Sequence, residues 1–404
     1  MGFADARTLA PGVRGQPTAV TPRTVVHVIP TLNVGGAEKQ LSLLLREIDR
    51  SRFRPLVVCT TRGGPLLEEL SRHQVPVRVI GKHGRYDLSL VWRLGRWLRR
   101  ERPDLVHTWM FTANTWGRLA ALLARVPALV ASERCVDEWK GALHRGLDRL
   151  LATRTNRLVA NSKAVADFLE NVERIPAERI RVVHNGLAED EMEKLRPRTE
   201  QEVGALRRAL DIPPGAAVVG DVSRIDAKND LISWVAVVER LVSRHANLIA
   251  VLAGAPVLEV EHRYARRLKR EIARRGLDGR VRLLGMRRDL ENVLPALDLF
   301  LHTSATEGFP NSLMEAMSAG VPVVATRAGG TPELIEDGTS GYLAAVGDVE
   351  TLAERASRLL ADAPLRRSVG REGSRRVREH FSLRRMVEAT EQIYEEVLEE
   401  AVRK

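Results

Sequence analysis

The chain has 404 residues, more than one ordinary core needs and fewer than three would fill, so two domains are expected. With 44% apolar and 28% charged residues it reads as a folded globular protein, and no apolar run approaches the roughly 18 residues that a membrane span requires. A formal net charge of +11 attracts anionic partners, but no helix-turn-helix, zinc-finger or aromatic RNA-binding signature is present, so nucleic acid is not expected among them.

Residues 1–22, MGFADARTLAPGVRGQPTAVTP, have neither a basic start nor a continuous apolar stretch and are expected to form a flexible tail rather than a signal peptide. From Thr24 onward, short apolar runs bounded by turn residues alternate with helix-period stretches. VVHVIP, PLVVCT, VRVI, DLVHTW, ALVAS, RLVAN and IRVVH read as strands, with helices such as AEKQLSLLLREI and TWGRLAALLA between them. That alternation argues a parallel sheet covered on both faces, and so a doubly wound first domain over residues 23–200. Cys59 and Cys135, the only cysteines, are too few for a disulfide framework and point to a reducing, cytoplasmic setting. In the helix LSLVWRLGRWLRR, Leu88, Val91, Trp92, Gly95 and Leu98 are expected to form the buried face. Trp97 then points outward between Arg93 and Arg100, which suits peripheral contact with an anionic membrane at the inner face of the cell; a solvated face carrying one aromatic is the plainer account.

The polar stretch 187–214, which includes LAEDEMEKLRPRTEQE, carries no strand signal and marks the domain junction. Alternation then restarts with AVVGDVS, LIAVLAG, VRLLG, LFLHTS, VPVVAT and GYLAA, giving a second doubly wound domain over residues 201–380. After Asp348 the pattern is helical to the end, with helix starts near Pro364 and Ser382. The last segment, 381–404, has apolar residues near every third or fourth position and is expected to bury that stripe against the first domain. The fold class is therefore α/β, two doubly wound domains facing across a cleft, with ligands held on the loops that follow the strands.

One such loop reads EGFPNSLMEA. Ser312 and Glu315 have the S-x-x-E spacing of a helix capping box, which would leave Glu315 a purely local role. A cap does not account for Glu307, Phe309 and Pro310 as well. Alternatively, the helix start offers free amides to a phosphate, Glu315 one turn in accepts from a vicinal diol such as a ribose, and Glu307 does the same for a sugar. The next turn, AGGTPELI, repeats the arrangement: Gly329 and Gly330 precede Thr331 as cap and Pro332 as first helical residue. Arg224 and Lys228, in SRIDAK after the first strand of this domain, are placed to partner a pyrophosphate, although isolated basic residues are commonly no more than solvated. No D-x-D sequence occurs.

EGFPNSLMEAMSAGVPVVATRAGGTPELI, with SRIDAK before it and TLNVGGAEKQL near the start, resembles family 4 of the retaining glycosyltransferases, the group 1 enzymes of GT-B fold. The resemblance covers nearly the whole chain beyond the tail, and its most specific element is the E-x7-E pair Glu307 and Glu315. It implies a transferase that needs no metal or other cofactor and moves a sugar from a UDP- or GDP-linked donor to a glycan or lipid-linked acceptor. It further implies that Glu315 holds the ribose, Glu307 the donor sugar, and Arg224 with Lys228 the departing diphosphate. By the same resemblance Gly308, Phe309, Pro310, Asn311, Ser312 and Leu313 shape the donor pocket, and Gly35 and Gly36 approach its phosphates from the other domain. Two departures stand out. Arg224 and Lys228 are one residue closer than is usual in the family, and the stretch SERCVDEW lacks the histidine many relatives carry there. Glu133, Arg134 and the strand-end His107 are the candidates for the acceptor side of the cleft. A non-catalytic nucleotide-sugar-binding subunit and a GT-B sugar-nucleotide epimerase are the alternatives.

Overall fold

The computed structural model describes residues 21–84, 87–137 and 139–403, so all but the last two residues of the expected tail lie outside the described residues. Seven parallel strands form the first sheet: β1 (Arg23–Ile29), β2 (Phe53–Cys59), β3 (Val77–Val79), β4 (Leu105–Trp109), β5 (Ala128–Glu133), β6 (Arg157–Ala160) and β7 (Ile180–Val182), in the order β3-β2-β1-β4-β5-β6-β7. Six more form the second: β8 (Ala217–Val222), β9 (Leu248–Ala253), β10 (Val281–Gly285), β11 (Leu299–His302), β12 (Val323–Thr326) and β13 (Tyr342–Ala344), in the order β10-β9-β8-β11-β12-β13. In each sheet the order reverses beside the first strand, so loops after β1 and β4, and after β8 and β11, diverge at a switch point and leave a crevice between them.

The strands are apolar runs because both faces are covered. Val25 and Ile29 pack into one cluster with the helix Gly36–Glu47, while Val26 and Val28, one residue out of phase, pack on the other face with the helices Ser89–Glu101 and Met110–Ala124. The face chosen for Ser89–Glu101 corrects the sequence reading. Leu90, Leu94, Gly95 and Leu98 are buried, Trp97 packs half-buried, and Trp92 and Leu88 point outward at 54% and 75% exposure. Gly95 decides this: a Cβ there would lie 3.3 Å from the Ala120 carbonyl oxygen, so the glycine lets the two helices approach closely.

The stretch 187–214 contains two short helices, Glu189–Lys194 and Glu200–Ala209, the second started by a full capping box of Thr199 and Glu202. Its Met192, Leu195, Leu210 and Ile212 join the core of the second domain. The chain ends in three helices, Val349–Ala361, Ala363–His380 and Leu383–Val402, capped by the side chains of Asp348, Asp362 and Ser382. The last one lies on the first domain, where Met386, Val387, Ile393, Tyr394 and Val397 share a cluster with β1 and β2. Outgoing and returning chain pass side by side: Leu187 N–H donates to the Phe381 carbonyl (2.9 Å) and Leu383 N–H to the Leu187 carbonyl (2.8 Å). Gly186 permits this, since a Cβ there would lie 2.6 Å from Leu383 Cα.

Candidate functional site

The helix Asn311–Ser318 starts directly after the EGFP loop, with Pro310 as its cap residue and no side-chain capping bond. Ser312 is already inside the first turn, so the capping-box reading of Ser312 and Glu315 fails. Glu315 instead reaches into the interdomain space, where Lys39 Nζ donates to its Oε1 at 2.6 Å. Lys39 comes from the first turn of Gly36–Glu47 and also pairs with Glu191 at 2.9 Å. Burial alone would lower the lysine pKa, but the Glu315 and Glu191 carboxylates outweigh it and hold the ammonium above the ordinary lysine range.

Around this pair the two domains are closely joined. Asn311 donates to the Gly36 carbonyl (3.2 Å) and accepts from Asn185 (2.6 Å), while Asn185 also donates to the Phe309 carbonyl (3.0 Å). Gly36 has room for this contact because the nearest atom to a Cβ there would be the Asn311 amide nitrogen, 3.3 Å away. The N-termini of Gly36–Glu47 and Asn311–Ser318, one from each domain, therefore lie against each other. The first turn of each helix carries amides without an intrahelical partner. The Phe309 ring turns inward against His184 and Phe381, and Leu313 is fully buried, so these two shape the loop from behind.

Gly308 marks the closest approach to the first domain, since a Cβ would fall 2.1 Å from the Arg134 carbonyl oxygen. The second glycine turn stacks on this loop through a bond from Gly330 N–H to the Gly308 carbonyl (3.0 Å). Gly329 has φ +48°, and a side chain there would strike the Glu307 carbonyl. The following helix, Thr331–Leu334, is a single turn capped by Gly330, not by Thr331. Its Glu333 accepts from the backbone N–H groups of Lys163 and Ala164 (2.9 and 3.1 Å) and lies 2.7 Å from His184 Nε2. That side chain thus caps the helix Lys163–Asn171 across the domain boundary, and the turn serves as an interdomain clasp.

Glu307 lies at the other end of the loop. His302 Nε2 is 3.0 Å from its Oε1, and His302 Nδ1 is 3.2 Å from Asp221 Oδ1 at the end of β8. Burial opposes a charge on this imidazole, but Asp221 and Glu307 together raise its pKa to about 10. The same end of the cleft holds Cys135, whose thiol burial pushes up to about 11 and which feels the charges of Lys228 and Glu307. Arg224 is half exposed and pairs with Asp226 and Glu261 (both 3.6 Å); across the cleft the Glu38 carboxyl is raised by burial and partly brought back by backbone and Thr31 hydrogen bonds and, least, by the Arg224 guanidinium. Among the described residues the Lys228 ammonium makes no hydrogen bond or ion pair; its backbone carbonyl accepts from Ala305 (2.8 Å).

The expected acceptor-side residues are placed differently. His107 does not line the cleft. Both its ring nitrogens are engaged, with Tyr394 Oη of the final helix (2.6 Å) and Ser132 Oγ (2.8 Å), and burial holds its pKa well below the ordinary value. Glu133 is buried in a closed network in which Arg118 and Lys140 face Asp148, Glu173 and Glu133 itself. Arg134 bonds Asn185 and lies over the Trp109 ring, and its pKa is lowered to about 10 by burial. Lys39, Asp221, Asn185 and His302 were not singled out from the sequence. Lys39 stood in a motif already noted, whereas His302 read only as the end of a strand.

Comparison with known proteins bears on the family and the fold. Residues 34–191 match the model of Glycosyltransferase Family 4, and residues 203–376 that of Glycosyl transferases group 1. Over 379 residues the chain is 30% identical to a D-inositol 3-phosphate glycosyltransferase of Saccharomonospora viridis, covering 88% of this chain and 80% of that one. It is 28% identical to the lipopolysaccharide core biosynthesis mannosyltransferase LpcC of Rhizobium leguminosarum bv. viciae, covering 77% and 84%. The crystal structure of Anabaena Alr3699/HepE in complex with UDP-glucose superposes with a TM-score of 0.82 at 26% identity, over 92% of this chain and 99% of that one.

Proposed function

The chain belongs to the group 1 glycosyltransferases of family 4, and from that premise we propose that it is a retaining, metal-independent enzyme that transfers a sugar from a UDP- or GDP-linked donor to a glycan or lipid-linked acceptor. The observation that carries this reading is the E-x7-E pair: neither carboxylate is used to cap the helix between them, and Glu315 meets a cation of the opposite domain across the crevice. The relatives that make lipopolysaccharide core and the neighbour crystallised with UDP-glucose support a nucleotide-sugar donor and cell-surface polysaccharide synthesis.

In this reading the ribose is held by Glu315 and the donor sugar by Glu307. The diphosphate lies over the abutting helix N-termini, with Arg224, Lys228 and Lys39 as cationic partners. The bond from the anomeric carbon to the phosphate oxygen breaks with its electrons going to the phosphate. Fixed cations and amides stabilise that charge without reorganising. An acceptor hydroxyl attacks on the face the phosphate leaves, and its proton passes to a phosphate oxygen, so configuration is kept. The acceptor is delivered at the cytoplasmic face of the membrane.

A thermal-shift panel of nucleoside diphosphates tests the donor half. The correct one, at 100 times its dissociation constant, should add about 2.7 kcal/mol to folding stability. Glu315→Gln should blunt the shift, while Glu307→Gln should keep it and suppress transfer. Equal losses in both variants would overturn the assigned roles. Transfer should survive EDTA, and proton NMR of the product should show the donor's anomeric configuration.

A further inference from the structure

His302 is wholly buried at the end of β11, yet both of its ring nitrogens face polar acceptors. On one side Asp221 Oδ1 is 3.2 Å from Nδ1, and the other oxygen of Asp221 accepts from Ser223 Oγ (2.9 Å), which fixes that carboxylate. On the other side Nε2 is 3.0 Å from both Glu307 Oε1 and Ser304 Oγ. Ser304 donates its own proton to Asn229 Oδ1 (3.2 Å), so toward His302 its oxygen can only accept. With acceptors at both nitrogens, each must carry a proton, and the ring is an imidazolium clamped between two carboxylates. Asp221 and Glu307 are the charged groups that act on it, and they hold it protonated to about pH 10 against the opposing effect of burial.

This chain has an open end. Glu307 uses only Oε1 in the contact; among the described residues its Oε2 has no hydrogen-bond partner, and it is not sealed from solvent, the side chain retaining 19% exposure. We propose that His302 is a positioning residue for the reaction: anchored by Asp221, it holds one oxygen of Glu307 so that the other is presented to the cleft at a fixed angle for a hydroxyl of the donor sugar. The clamp also offsets the Glu307 charge with a cation behind it. A carboxylate backed in this way grips a hydroxyl close to the diphosphate with less repulsion than a bare one. His302 touches no substrate and acts only through Glu307.

The inference rests on the donor reading above, and the test separates the two. His302→Phe removes both donors and keeps a ring to stack on Phe300, 6.0 Å away between centroids. It should lower kcat/KM for the sugar nucleotide about ten- to a hundredfold, the value of one charge-assisted hydrogen bond, and leave the thermal shift given by the nucleoside diphosphate intact. His302→Gln, with one amide donor to offer Glu307, should recover part of the loss. Asp221→Asn withdraws the anchoring charge, so the imidazolium is lost at lower pH and transfer acquires an alkaline limb at least one pH unit below that of the parent enzyme. If His302→Phe transfers like the parent, or loses sugar-nucleotide turnover and nucleoside diphosphate binding together, the positioning role is wrong. If no nucleoside diphosphate stabilises the parent enzyme, the donor reading itself is wrong.

Discussion

Each domain buries a network of ionised side chains, and the two networks are built to different ends. In the first domain Arg118 and Lys140 lie among Asp148, Glu173 and Glu133, all almost fully inaccessible, with Lys140 reaching each of the three carboxylates within 3.8 Å. In the second, Asp221, His302 and Glu307 run in a line from a buried strand end to an oxygen that water can reach. A closed network can only hold helices to a sheet, whereas a line with one end free can hold a ligand. Burial and charge do not distinguish them; the open terminus does.

The sharpest way to break the comparison is to open the closed network. Arg118→Met leaves three carboxylates with one cation and should cost about 3 to 5 kcal/mol in urea unfolding, with the nucleoside diphosphate shift unaltered. Lys39→Met strikes the interdomain pair instead. Lys39 keeps about a third of its side chain exposed, so screening reduces the loss to about 1 to 2 kcal/mol, and here the response to nucleotide should change because Glu315 is freed. The smallest effect is expected from Glu133→Gln. Burial first, then Asp148 and Glu173, raises the Glu133 pKa to about 7 against the opposing pull of Lys140. A folded-state value above the unfolded one means that its contribution is complete below about pH 4.5 and is lost as pH rises through 7. Glutamine imitates the protonated form, so the variant should be more stable than the parent at pH 8 and indistinguishable from it at pH 4. Equal effects at both pH values would show that Glu133 does not titrate with the network.

The sheets were legible because parallel strands buried on both faces are written as uninterrupted apolar runs, and each of the runs read as a strand is one. The E-x7-E pair was legible as well, since two carboxylates around a helix start exceed what a cap requires. What stayed hidden depended on distant partners. His107 looked like a cleft residue because it ends a strand; its occupation by Tyr394, 287 residues away, leaves no local trace. Glu133 and His302 likewise owe their roles to neighbours on other elements, the helix residue Asn114 and the loop residue Lys140 for the first and the β8 residue Asp221 for the second. In the helix Ser89–Glu101 two apolar stripes share helical spacing, and the close contact allowed by Gly95, a tertiary event, chose between them.

The paired crossing of the backbone at Leu187 and Ser382 has a mechanical consequence. Two covalent threads that leave one lobe and enter the other at the same spot, hydrogen-bonded to each other, act as a hinge pin. The pin lies beside the Lys39–Glu315 pair, because Gln40 exchanges hydrogen bonds with Gly186 and Asn185 bonds Asn311, so strain at the crossing is felt directly at that interdomain contact.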